Sequence, residues 1–113
     1  MSYVTNIMIC GLGASDHLEE INTWLKKNYV EKYGRNYEVV MKEIGDYAGG
    51  NKKMETDILA GAFNYLDLED FIKFLKNIDW DNETDLFIQD QDDDTFTKTL
   101  LATYEDVINK LRR

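Results

Sequence analysis

The chain has 113 residues, a formal net charge of −9, 43% hydrophobic and 12% aromatic residues, one cysteine and no proline. Residues 1–113 suffice for one domain that buries about 65% of its unfolded surface, and the apolar content excludes global disorder. The charge opposes binding to nucleic acid or anionic lipid, and a single cysteine excludes an internal disulfide.

The N-terminal MSYVTNIMIC lacks the basic start and long apolar run of a signal peptide. No stretch reaches the roughly 18 apolar residues that span a bilayer. A cytoplasmic protein without membrane contact is therefore expected.

Residues 3–10 are β-branched, aromatic or apolar at most positions and predict a first strand. A Gly11–Ala14 connection leads to Ser15 or Asp16 as cap of a first helix, with Leu18, Ile21, Trp24, Leu25 and Tyr29 as its buried stripe. Gly34 ends that segment, and residues 37–44 predict a second strand with Tyr37, Val39 and Met41 on one face. The glycine- and lysine-rich loop 45–53 follows.

Residues 54–78 form the stretch around which the chain is organised. Met54, Thr56, Ile58, Ala60 and Ala62 recur at period two and predict a third strand, whose small residues allow close approach by a neighbour. Asp67 and Asp70 then mark the start of a helix, and Leu68, Phe71, Ile72, Leu75 and Ile78 form its apolar stripe. Residues 86–91 and 95–100 predict two further strands around an Asp92-Asp93-Asp94 turn. Thr103 and Asp106 open a last helix, with Tyr104, Val107, Ile108 and Leu111 inward.

The order β-α-β-β-α-β-β-α predicts an α+β fold: a ferredoxin-like βαββαβ sheet with two helices on one face, extended by a C-terminal hairpin strand and short helix.

Residues 79–94, DWDNETDLFIQDQDDD, hold eight acids and no base, so they carry −8 of the −9. Two roles fit. The aspartates are solvated turn residues, or Asp79, Asp81, Glu83, Asp90, Asp92, Asp93 and Asp94 form a negative face that steers a basic partner, with Trp80 as its anchor. Asp90, Asp92 and Asp94 also match the start of a calcium loop. That match fails at Thr95, where glycine is required, and at Leu101, where a bidentate glutamate belongs.

Catalytic motifs do not assemble. Cys10 precedes a glycine loop and a helix start, but Asp16 stands where a phosphatase-type C-x5-R motif needs arginine. Gly11 and Gly13 lack the third glycine of a dinucleotide fingerprint. One histidine and one cysteine exclude an ordinary zinc site. Glu55 and Asp57 share a strand face without a partner motif. Gly61-Ala62-Phe63-Asn64-Tyr65 has aromatics but no lysine or arginine for RNA.

The expectation is a non-enzymatic, cofactor-free, acidic protein-binding module of the inhibitor, immunity or phage-type counter-defence kind. It would occlude a basic surface, one that itself binds nucleic acid included. The alternative is a small-molecule or nucleotide binder that holds an anion with Arg35, Tyr47, Lys52 and Lys53 on the loop 45–53 and the sheet face. A homo-oligomer through an uncovered sheet face bearing Val40, Leu59 or Phe63 is a further option.

Overall fold

The computed structural model describes residues 4–30, 40–45 and 48–111. These form an α+β arrangement of five antiparallel strands and three α-helices. The strands are β1 (Val4–Gly11), β2 (Lys42–Glu43), β3 (Asp57–Asn64), β4 (Thr84–Asp90) and β5 (Thr97–Ala102), and the helices are α1 (Leu18–Leu25), α2 (Leu68–Lys76) and α3 (Tyr104–Leu111). The sheet order is β2-β3-β1-β4-β5, which differs from a simple βαββαβ layout by the strand added outside β4. No described helix is long and apolar enough to cross a membrane.

β1 alternates between half-buried and buried along its whole length. Thr5, Ile7 and Ile9 face the helices, joined by Leu59 and Phe63 of β3 and by Leu86 and Ile88 of β4. Against this face α1 packs Ile21 and Leu25, and α2 packs Phe71 and Leu75, all fully buried. Phe71 lies between Trp24 (ring centroids 5.4 Å apart) and Phe63 (6.5 Å), while Trp24 stacks on Phe74 at 5.2 Å. Aromatic area of this kind dominates core energetics.

The predicted face of the third strand is inverted. β3 starts at Asp57, after Met54 and Thr56, and its buried face is Leu59, Gly61 and Phe63 rather than Ile58, Ala60 and Ala62. Leucine and phenylalanine remove more apolar surface from water than two alanines, and that difference outweighs the length of the alternation. Leu59 and Phe63 are therefore unavailable to an outer sheet surface. Gly61 accounts for the close approach: a Cβ there would lie 2.8 Å from Phe63 Cε2 and 3.0 Å from Met41 Sδ.

The helix ends follow short-range chemistry. Asp67 accepts from Asp70 N–H at 3.3 Å at the start of α2. At α3 the capping box is reciprocal: Thr103 N–H donates to Asp106 Oδ2 at 3.0 Å, and Asp106 N–H donates to Thr103 Oγ1 at 3.1 Å. These contacts hold the Asp106 carboxyl below its ordinary range. Because the folded value is depressed, the cap's contribution is present above the unfolded carboxylate value and fades as pH falls through the lower folded one. Asp106→Asn should fray the first turn of α3 and speed amide exchange at residues 104–108. Tyr104, expected inward, is exposed.

Neither Ser15 nor Asp16 caps α1. Residues Ala14–His17 form a 3-10 turn, and Asp57 of β3 takes the capping role, accepting from Ser15 N–H (3.1 Å) and Ser15 Oγ–H (2.9 Å). The end of α1 widens into a π turn, Lys26–Val30, where the Tyr29 hydroxyl donates to the Asn64 carbonyl. Asn22 clamps the chain entering β2: its Nδ2 donates to Met41 O at 3.1 Å, and its Oδ1 accepts from Met41 N–H at 2.8 Å. Of the predicted second strand, Tyr37 and Val39 lie outside the described residues.

Candidate functional site: an acidic end of the sheet

The eight acids do not form one face. Asp85 and Asp90 lie on β4, which separates the other six, and its seven residues span about 20 Å. Asp79, Asp81 and Glu83 precede β4 at one end of the sheet, while Asp92, Asp93 and Asp94 follow it at the other.

At the hairpin end, two of the aspartates build the turn. Asp90 Oδ1 accepts from the buried Thr5 hydroxyl at 3.0 Å. Asp93 Oδ2 accepts from Asp90 N–H at 3.3 Å, and Asp93 N–H donates back to Asp90 O at 2.9 Å. Asp92 and Asp94 are exposed. This is the turn role of aspartate, with two carboxylates left facing water.

The other end is more concentrated than its sequence stretch. Gly13 adopts φ +83°, and a Cβ placed on it would lie 3.7 Å from Asn82 Nδ2, 3.8 Å from Asp81 Oδ2 and 3.9 Å from Asp16 Oδ2. Segments some 65 positions apart in the chain thus meet here, with the Asp16 and Asp81 carboxylates both flanking Gly13. Asn82 Nδ2 donates to Leu12 O at 3.0 Å and holds them together. His17 sits between Glu20, whose Oε1 meets its Nδ1, and Asp81, whose Oδ2 lies 3.8 Å from its Nε2. Asp16, Glu20, Asp79, Asp81 and Glu83 are all exposed.

Trp80 is buried in the chain rather than presented to solvent. It is 3% exposed, donates from Nε1 to Leu75 O at 2.9 Å, and meets His17 edge-on at 5.0 Å between centroids. Its ring fixes the acidic loop to the end of α2. A bulky indole beside an apolar helix end removes more surface from water inside than it could at a solvated loop.

Gly11 allows the close approach of this loop to β1. A Cβ there would stand 2.8 Å from Glu83 O, 2.8 Å from Thr84 Oγ1 and 3.2 Å from Thr84 Cα. Two of these are backbone atoms that cannot rotate away. Gly11→Ala should therefore destabilise the chain by about 1–3 kcal/mol, read as a lower urea midpoint at unchanged slope.

The other candidates separate. Cys10 lies on the sheet face turned away from α1, so no helix start stabilises its thiolate. Burial, and then the nearby Asp85 carboxylate, push the thiol above its ordinary value, which makes it a poor nucleophile at neutral pH. Asp57 is engaged by Ser15 while Glu55 lies exposed before the strand, so they form no acid pair. Phe63 is buried and offers no stacking surface to a base. Lys52 and Lys53 are exposed on their loop, whereas Arg35 and Tyr47 lie outside the described residues. Among the described residues no cluster of histidine, cysteine and carboxylates is arranged to hold a metal ion.

Asp16, His17 and Glu20 escaped the sequence-based site because their meeting with residues 81 and 82 is a tertiary event. Only the His17–Glu20 spacing of three was visible beforehand. Comparison of the chain with protein-family models, curated proteins and solved structures finds no match.

Proposed function

We propose that this chain is a small acidic protein-binding module of the inhibitor, immunity or counter-defence kind, acting without catalysis or cofactor in the cytoplasm. Its acidic end covers a basic surface on a partner protein. The observation that carries this is the convergence of Asp16, Glu20 and Asp81 around Gly13 and His17, with Asp79 and Glu83 on the same pinned loop. A group of like charges held in place by Trp80 and Asn82 concentrates negative potential and steers a cationic partner. Its rigidity also lowers the ordering cost of binding. We take the fold to be a ferredoxin-like βαββαβ core extended by β5 and α3, which is supported by β1 lying between β3 and β4 with β2 outside β3.

The test is affinity capture from host lysate with the full chain and two neutralised variants. In one, Asp79 and Asp81 become Asn and Glu83 becomes Gln. In the other, Asp92 and Asp94 become Asn. A basic protein retained by the natural chain and the second variant, and lost by the first, is the expected result. Retention by all three, or by none, contradicts the assignment.

A further inference from the structure

A pocket of about 400 Å³ opens where the end of α2, the end of β5 and α3 meet. Ile78, Leu101 and Val107 give it apolar walls, and the first two are buried. Lys76, Asp79 and Asp106 also line it, and all three are exposed and so stand at its mouth. A volume of this size lies within the roughly 300–1,000 Å³ of ligand-binding clefts. Asp79 belongs to the loop that Trp80 fixes to α2, so the pocket adjoins the acidic end.

We infer that this pocket receives one arginine side chain of the basic protein that the acidic end covers, an inference that rests on the function proposed above. Charge is the first reason. The lining holds two carboxylates and one ammonium group. Thr103 N–H occupies part of Asp106 Oδ2 and keeps that carboxyl ionised, and a carboxylate has further lone pairs to offer. Lys76 is the last residue of α2, and the partial negative charge of a helix C-terminus favours a cation. Glu105 and Asp106, in the first turn of α3, offset the positive end of that helix.

Shape is the second reason. An arginine buries an apolar stem and carries a planar head with five donors, which matches apolar walls beneath a carboxylate mouth. Its guanidinium sheds water more readily than a lysine ammonium and is enriched at interface hot spots. Lys76 opposes the incoming charge, so its removal strengthens binding.

The probe is N-acetyl-arginine amide, titrated against the full chain and read by NMR at the methyl groups of Ala102 and Val107, which line the pocket. Saturable shifts with a dissociation constant of about 1–10 mM are expected, with no change at residues 92–94 of the hairpin. N-acetyl-citrulline amide, similar in shape but uncharged, should bind about fivefold more weakly. Val107→Phe narrows the pocket at unchanged charge and should weaken binding about tenfold.

Lys76→Met should tighten binding about threefold. Lys73→Met makes the same change of net charge at the Glu69 pair on α2, and should leave binding within about 1.5-fold. Both lysines are exposed, so their variants keep the fold and decide the matter where Val107→Phe does not fold. Shifts that never saturate, equal binding of the citrulline derivative, or equal effects of the two lysine variants overturn the inference.

The pocket and the acidic end fail separately. A captured basic protein that is lost on neutralising Asp79, Asp81 and Glu83, yet held equally by folded Val107→Phe, overturns the pocket and leaves the acidic end standing. Capture by no variant contradicts the acidic end itself, and the occupant of the pocket with it.

Discussion

Phe71→Ala should be the most damaging single truncation of a helix side chain, at about 3–5 kcal/mol. The residue is fully buried and is the largest side chain so enclosed among the described residues. It links all three layers of aromatic contact: Trp24 on α1, Phe63 on β3 and its own helix α2. Its neighbours come from different elements and cannot collapse together into the space, so most of the cavity persists. Urea unfolding should show the loss as a lower midpoint, and the melting temperature should fall by roughly 10 °C or more. Lys73→Ala, on the exposed side of the same helix, serves as the control and should change stability by less than about 0.5 kcal/mol.

Trp80→Ala should cost a similar amount, about 3–5 kcal/mol, since it removes a buried ring and leaves Leu75 O without its indole donor. Trp80→Phe keeps much of the apolar area and loses the hydrogen bond, so its cost should be roughly 1–3 kcal/mol. The milder variant also separates two roles for this residue. A tryptophan that anchors a partner would, when changed, speed dissociation of the complex. A tryptophan that holds the acidic loop from within should leave dissociation of the folded Trp80→Phe variant within about twofold.

Elements with local signals were legible from residues alone. The β-branched and apolar run of β1, the Asp67 cap, the Thr103–Asp106 box and the aspartate turn between β4 and β5 all depend on neighbours a few positions apart, so the local sequence carries them. The α+β class follows from their order. The phase of β3 was not legible, because Met54, Thr56, Ile58, Ala60 and Ala62 alternate over a longer run than Leu59, Gly61 and Phe63. Burial instead followed the bulk of Leu59 and Phe63, and the run is cut by the strand's start at Asp57.

The site was half legible. The density of acids in residues 79–94 was plain, but a linear count cannot show that β4 sends Asp81 and Asp92 to opposite ends of the sheet. Nor can it show that Gly13 brings Asp16 beside Asp81. Trp80 illustrates the ambiguity most directly. Between two aspartates an indole reads as an exposed anchor or as a core residue at the helix end, and only its packing against α2 and His17 shows that it is buried.

The most direct test of the acidic end is the association rate with the captured basic protein, measured from about 0.05 to 0.5 M salt. For the natural chain the rate should fall by about tenfold or more across that range. For the variant neutralised at Asp79, Asp81 and Glu83 it should start lower and vary less. A salt-independent rate for the natural chain, or the same steep slope in the variant, would contradict the account.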